Sequence, residues 1–191
     1  MLQNKIIEKI IISVLVLSLI MFIGGNIVRY AVAYDIFIPG TALKLKDWYS
    51  EAIRVNTVHL FAVISFYTIT GFIVAFVSSL LLFLIRIKDL KRYGWLFMAF
   101  ILFFLASVVE FYLIYNDIHL IMAMNTHQIH SFTNLDIQNY FMFRLKKLTI
   151  PSALAFLSII TSIILVIWQP LNKFENNTDK EINNKLIENE K

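Results

Sequence analysis

"VNTVHLFAVISFYTITGFIVAFVSSLLLFLI", residues 55–85, runs thirty-one residues without an Asp, Glu, Lys or Arg, and Arg54 and Arg86 close its two ends. The hydrocarbon core of a bilayer is about 30 Å thick, and a helix crosses it in about 20 residues. A soluble core of this chain length has no need of so long an uncharged run. The stretch therefore reads as a transmembrane helix, long enough to tilt or to start in the interface before entering the core.

Three further runs flank it. Ile10–Val28 lies between Lys9 and Arg29. A third starts at Tyr93, meets Glu110 and continues to Asn116, and a fourth covers Leu148–Gln169. Each is long enough to span, and the sequence predicts helices over 9–33, 57–86, 93–116 and 149–169. No strand-like alternation of the outer-membrane barrel kind is present. The expected fold is an all-α membrane protein, an antiparallel four-transmembrane-helix bundle with interfacial segments on the outer side. Residues 1–170 form the transmembrane domain of this reading, and residues 171–191 a disordered polar cytoplasmic tail, rich in Asn, Glu and Lys.

Composition agrees. The chain is 59% hydrophobic and 16% charged, with a mean hydropathy of +0.72. Soluble domains have about 45–50% apolar and about 25% charged residues. The net charge of +4 does not point to nucleic acid. The basic residues sit at the ends of apolar runs, where topology and anionic headgroups account for them. The expected partners are the lipid bilayer and other membrane protein subunits or further copies of the chain. The absence of cysteine removes disulfides, thiolate metal sites, iron–sulfur clusters and thiol catalysis.

Orientation follows from the basic residues. The link "RIKDLKRYG", residues 86–94, carries Arg86, Lys88, Lys91 and Arg92 between two spans, where the positive-inside rule is strongest. It places both termini in the cytoplasm. The abundance of Ile, Asn, Lys and Phe is that of an AT-rich genome, and a bacterial inner membrane is the expected location. A cleaved signal peptide is the rival reading of the first run, with Lys5 and Lys9 before it and Ala31–Val32–Ala33 as the cleavage site. The run exceeds the usual 7–15 residues, and Arg29 lies close to the cut, so a retained span is preferred.

The outer segments carry their own signals. Pro39–Gly40 marks a turn, and "LKLKDWYSEAIRV" after it reads as a short interfacial helix with Trp48 and Tyr49 at headgroup level. Tyr140–Leu148 mixes Phe and Met with Arg144, Lys146 and Lys147, a second interfacial pattern. Pro151 suits the first turn of the last helix, where its missing N–H costs little.

A carboxyl inside a span usually faces the bundle interior and pairs with something. On a 100° helical projection Ala99, Phe103, Ala106, Glu110 and Asp117 share one stripe. Near the outer end of the first span, Asn26, Arg29, Tyr30 and Ala33 share a face, and His59 enters from the first turn of the second. The expected polar cluster is thus Asn26, Arg29, Tyr30, His59, Glu110 and Asp117, with Glu110 paired to Arg29. It is either an interhelical clamp or a functional pocket open to the outside. Close helix packing is expected at Gly71, Ala75 and Ser79, at Ala99 and Ala106, and at Ser158 and Ser162.

Other chemistry has less support. His59 and His119 are the pair that could ligate haem, but His119 is half a turn out of phase with Glu110. His127 and His130, with Asp136, could hold a metal, although no HExxH or comparable motif is present. No cofactor, metal site or catalytic residue is assigned. The first functional reading is a non-enzymatic accessory or interaction subunit. The alternatives are a redox or small-molecule-binding protein using the outer cluster, and a small oligomeric transporter, which lacks a broken helix or inverted repeat.

Overall fold

A computed structural model describes residues 2–91, 93–126 and 135–170. The element order is α1 (Leu2–Asp35), α2 (Glu51–Arg86), α3 (Gly94–Thr126), α4 (Leu135–Lys146) and α5 (Thr149–Trp168). All but α4 are long and apolar enough to cross a membrane. The chain is an all-α membrane bundle. The tail at 171–191 and the His127–His130 pair lie outside the described residues.

Local chemistry sets the helix ends. Gly40, at φ +76°, makes the turn after α1 possible, because a Cβ disfavours that backbone. The chain then doubles back, with Ile38 N–H donating to Lys44 O at 2.8 Å and Lys46 N–H to Ile36 O at 3.0 Å. The short interfacial helix expected from residue 43 does not form as a separate element. Residues 44–50 are non-helical, and Ser50 caps α2 by accepting from Ile53 N–H, so the helical part of that stretch is simply the start of α2. Trp48 is well exposed on this loop. At its far end, α5 stops at Gln169, which turns left-handed at φ 44° and is followed by Pro170.

The helices associate as two close pairs, α1 with α2 and α3 with α5, and α2 joins α3 across the middle. The α1–α2 seam leaves little room for a side chain at Gly71. A Cβ on Gly71 would stand 3.1 Å from Phe22 N and 3.2 Å from Ser18 O, both backbone atoms of α1. Ala75 and Ser79 are buried on the same helix, as are Ala99 and Ala106 on α3. On α5 the buried face is Ser152, Ala155, Ile159 and Ser162, while Ser158 is only half-buried. Phenylalanines fill the α2–α3 seam, Phe76 meeting Phe111 at 5.0 Å and Phe83 meeting Phe100 at 5.3 Å between ring centroids.

The helices differ in length, so α1, α2 and α3 extend past the level where α5 begins. Only α5, with 20 residues, matches about 30 Å of hydrocarbon. Helices α1, α2 and α3 have 34, 36 and 33 residues and run about 50 Å. Beyond the level where α5 begins, the ends of α1, α2 and α3 form a second apolar core with α4. Its members include Ile36, Phe37, Phe61, Leu120, Ile137 and Phe141. The other core, around Phe22, Phe72, Phe103 and Ile159, lies alongside α5.

Candidate functional site

Between the two cores lies a layer of buried charge. On α3, Phe103, Ala106, Glu110, Leu113, Asp117 and Leu120 recur at three- and four-residue intervals, and all are buried. That face presents two carboxyl groups one above the other, seven residues apart and about 10 Å along the helix axis. Arg29 of α1 reaches the upper one. Its Nη1 donates to Asp117 Oδ2 at 2.5 Å, and its Nη2 donates to Asn26 Oδ1 at 2.7 Å. Ser65 of α2 accepts a longer bond from Nη1 at 3.4 Å.

The second oxygen of Asp117 belongs to another helix. Arg144 of α4, with no exposed surface, donates from Nε to Asp117 Oδ1 at 3.1 Å. Its Nη1 donates to the Tyr30 hydroxyl at 3.1 Å, and that hydroxyl lies 2.6 Å from Ser152 Oγ on α5. One carboxylate and one phenol therefore tie α1, α3, α4 and α5 together, with α2 joined through Ser65. Ser152 stands in the first turn of α5, so the layer lies level with the start of that helix.

The aromatic surroundings suit two guanidinium groups. The Tyr30 ring lies 5.6 Å from the Arg29 carbon and 5.8 Å from that of Arg144, and Phe61 lies 5.3 Å from Arg29. Burial opposes a charge on Arg144, but Asp117, Tyr30 and Glu110 outweigh it and raise its pKa above the ordinary arginine value.

The expected pairing of Arg29 with Glu110 is corrected here: Arg29 is held by Asp117. The reason is helix length. The third span was expected to end at Asn116, one residue before Asp117, whereas α3 continues to Thr126 and carries Asp117 on its buried face. Glu110 is 4% exposed and lies within the electrostatic reach of both arginines. The formal charges of Arg29, Arg144, Asp117 and Glu110 sum to zero.

His59 does not join the layer. It is exposed on α2, whose buried phase is set by Val58, Phe61 and Ser65. Helix α2 begins at Glu51 instead of near residue 57, and six residues at 100° turn His59 well away from Ser65. His119 is half-buried on α3, its ring stacked on Tyr140 at 5.6 Å and edge-on to Tyr115 at 4.4 Å. Among the described residues, no group of three His, Asp or Glu side chains is arranged to hold a metal ion.

Sequence reasoning missed Arg144, Ser65 and Ser152. The signal for Arg144 was present: Ile137, Phe141, Arg144 and Leu145 follow helical spacing, which puts the arginine on the apolar face.

No family model, curated protein or solved structure matches the chain.

Proposed function

We propose that this integral membrane protein is a non-enzymatic accessory or interaction subunit, and that its charged layer is an interhelical clamp. The observation that carries this reading is closure. Both oxygens of Asp117 are occupied by arginines, and Arg29, Asp117 and Arg144 are each 3% exposed or less. A reaction or a transport cycle needs its charged groups to reach a substrate, whereas these are buried against one another, with Arg29 Nε and Arg144 Nη2 left without an acceptor among the described residues. The same reading keeps both termini in the cytoplasm of a bacterial cell. It rests there on Arg86, Lys88, Lys91 and Arg92 in and beside one short link.

Isolation of the tagged chain from native membranes in mild detergent tests the proposal. The expected result is co-elution with a second membrane protein at fixed stoichiometry. Isolation as a lone monomer that transports or transforms a solute in vesicles contradicts it.

A further inference from the structure

We propose that a groove between α3 and α4 binds the phosphate headgroup of an anionic phospholipid. The inference is independent of the clamp. The groove has a volume of about 620 Å³, within the range of small-molecule sites. Tyr115, Asn116 and His119 of α3 form one side, and Tyr140 and Lys146 of α4 form the other, with Lys147 just beyond. Tyr115 is 63% exposed, so the groove lies on the outer surface of the bundle.

Three features give it a ligand chemistry. The first is charge: Lys146 and Lys147 are exposed and immediately precede Leu148 and the first turn of α5, which puts two ammonium groups at headgroup level. The second is an unmet donor. Asn116 is 6% exposed and lines the groove, and its Nδ2 finds no acceptor among the described residues. That nitrogen has almost no exposed surface, so the amide must rotate toward the groove to meet a ligand; leaving it unbonded is costly, and a phosphate oxygen is an acceptor that carries no hydrogen of its own to compete. The third is the wall. The Tyr115, His119 and Tyr140 rings hold one another in place and provide the amphipathic surface typical of the interface. A phosphodiester with acyl chains meets all three, its charge at the lysines and its chains descending along the apolar surface below.

The test is a thermal unfolding titration of the full chain in a neutral detergent. Dioctanoyl phosphatidylglycerol is expected to raise the melting temperature saturably, whereas dioctanoyl phosphatidylcholine and inorganic phosphate at equal concentration are not. Lys146→Gln combined with Lys147→Gln should raise the half-saturating lipid concentration about tenfold or more. Lys88→Gln with Lys91→Gln, which removes equal charge at the opposite end, should leave it unchanged. Asn116→Leu should weaken the response with both lysines present. An equal response to phosphatidylcholine, equal weakening by the two lysine double variants, or a full response to inorganic phosphate would each overturn the assignment.

Discussion

Arg29 of α1 and Asp117 of α3 meet at 2.5 Å with neither side chain more than 3% exposed. The contact stands at the boundary between the apolar core alongside α5 and the second one that includes α4. A charge at that level can be paired by the protein or drawn out to water, and here the second core closes the way out. Burial of this kind makes the partners interdependent, since removing one leaves the other uncompensated.

Tyr30 connects the charged pair to the last helix. Tyr30→Phe keeps the ring between the two guanidinium groups but removes the oxygen that Arg144 and Ser152 share. A lost hydrogen bond to a charged group costs about 1.5–3 kcal/mol. Chemical unfolding in detergent should show a loss of that order, and Ser152→Ala a smaller one of about 1 kcal/mol.

The glycines of α1 and α2 separate packing from lipid contact. A Cβ on Gly71 would stand 3.1 Å from the α1 backbone, whereas one on Gly24 would meet nothing within 4 Å. Gly71→Val should destabilise by about 1–3 kcal/mol, because backbone atoms cannot move aside as a side chain can. Gly24→Val should stay within about 0.5 kcal/mol of the parent in the same unfolding measurement.

The opposite end of the bundle also has an ion pair, Arg86 of α2 with Glu8 of α1, but the arginine side chain is 43% exposed. Water screens such a pair, and its contribution is typically below about 1 kcal/mol. Glu8→Gln should therefore change stability by less than that. A loss as large as that from Asp117→Asn would show that exposure is not what distinguishes the two pairs.

Most of the fold was legible in the sequence, because apolar runs of 20 residues leave few alternatives. The layer of charge was only partly legible. Hydropathy put the end of the third span at Asn116, whereas its helix continues to Thr126, and Asp117 lies in that gap. Glu110 and Asp117 share one helical face, so depth alone had to choose between them, and it chose wrongly. Arg144 was hidden by its neighbours: Lys146 and Lys147 gave the segment the look of a topology signal, and the burial of one of three cations depends on the α4 face that packs on α3. His59 failed through phase: it was chosen by depth, and its spacing from Val58, Phe61 and Ser65 turns it to the exposed side of α2. Ser65 carried no sequence signal beyond its place on the buried stripe.

Orientation can be read directly. Reporter fusions at Asp89 and Lys191 should report cytoplasmic, and one at Asp47 external, as the basic link after α2 requires. The reverse pattern would move the charged layer and the groove to the cytoplasmic leaflet.

The clamp itself is tested most directly by two double variants that share one substitution. Asp117→Asn alone leaves two buried guanidinium groups facing one remaining carboxyl, Glu110. Breaking a buried pair costs about 3–5 kcal/mol in soluble proteins, and access to the interface lowers that figure here. Adding Arg29→Met removes one of the excess cations, and adding Glu110→Gln removes the last anion. Unfolding free energies of the two double variants, measured in one detergent, should fall on opposite sides of the Asp117→Asn single variant: Arg29→Met recovering part of the loss, Glu110→Gln deepening it. If both second substitutions deepen the loss equally, or if Glu110→Gln restores stability, the four charges do not form a mutually balanced layer and the clamp account fails.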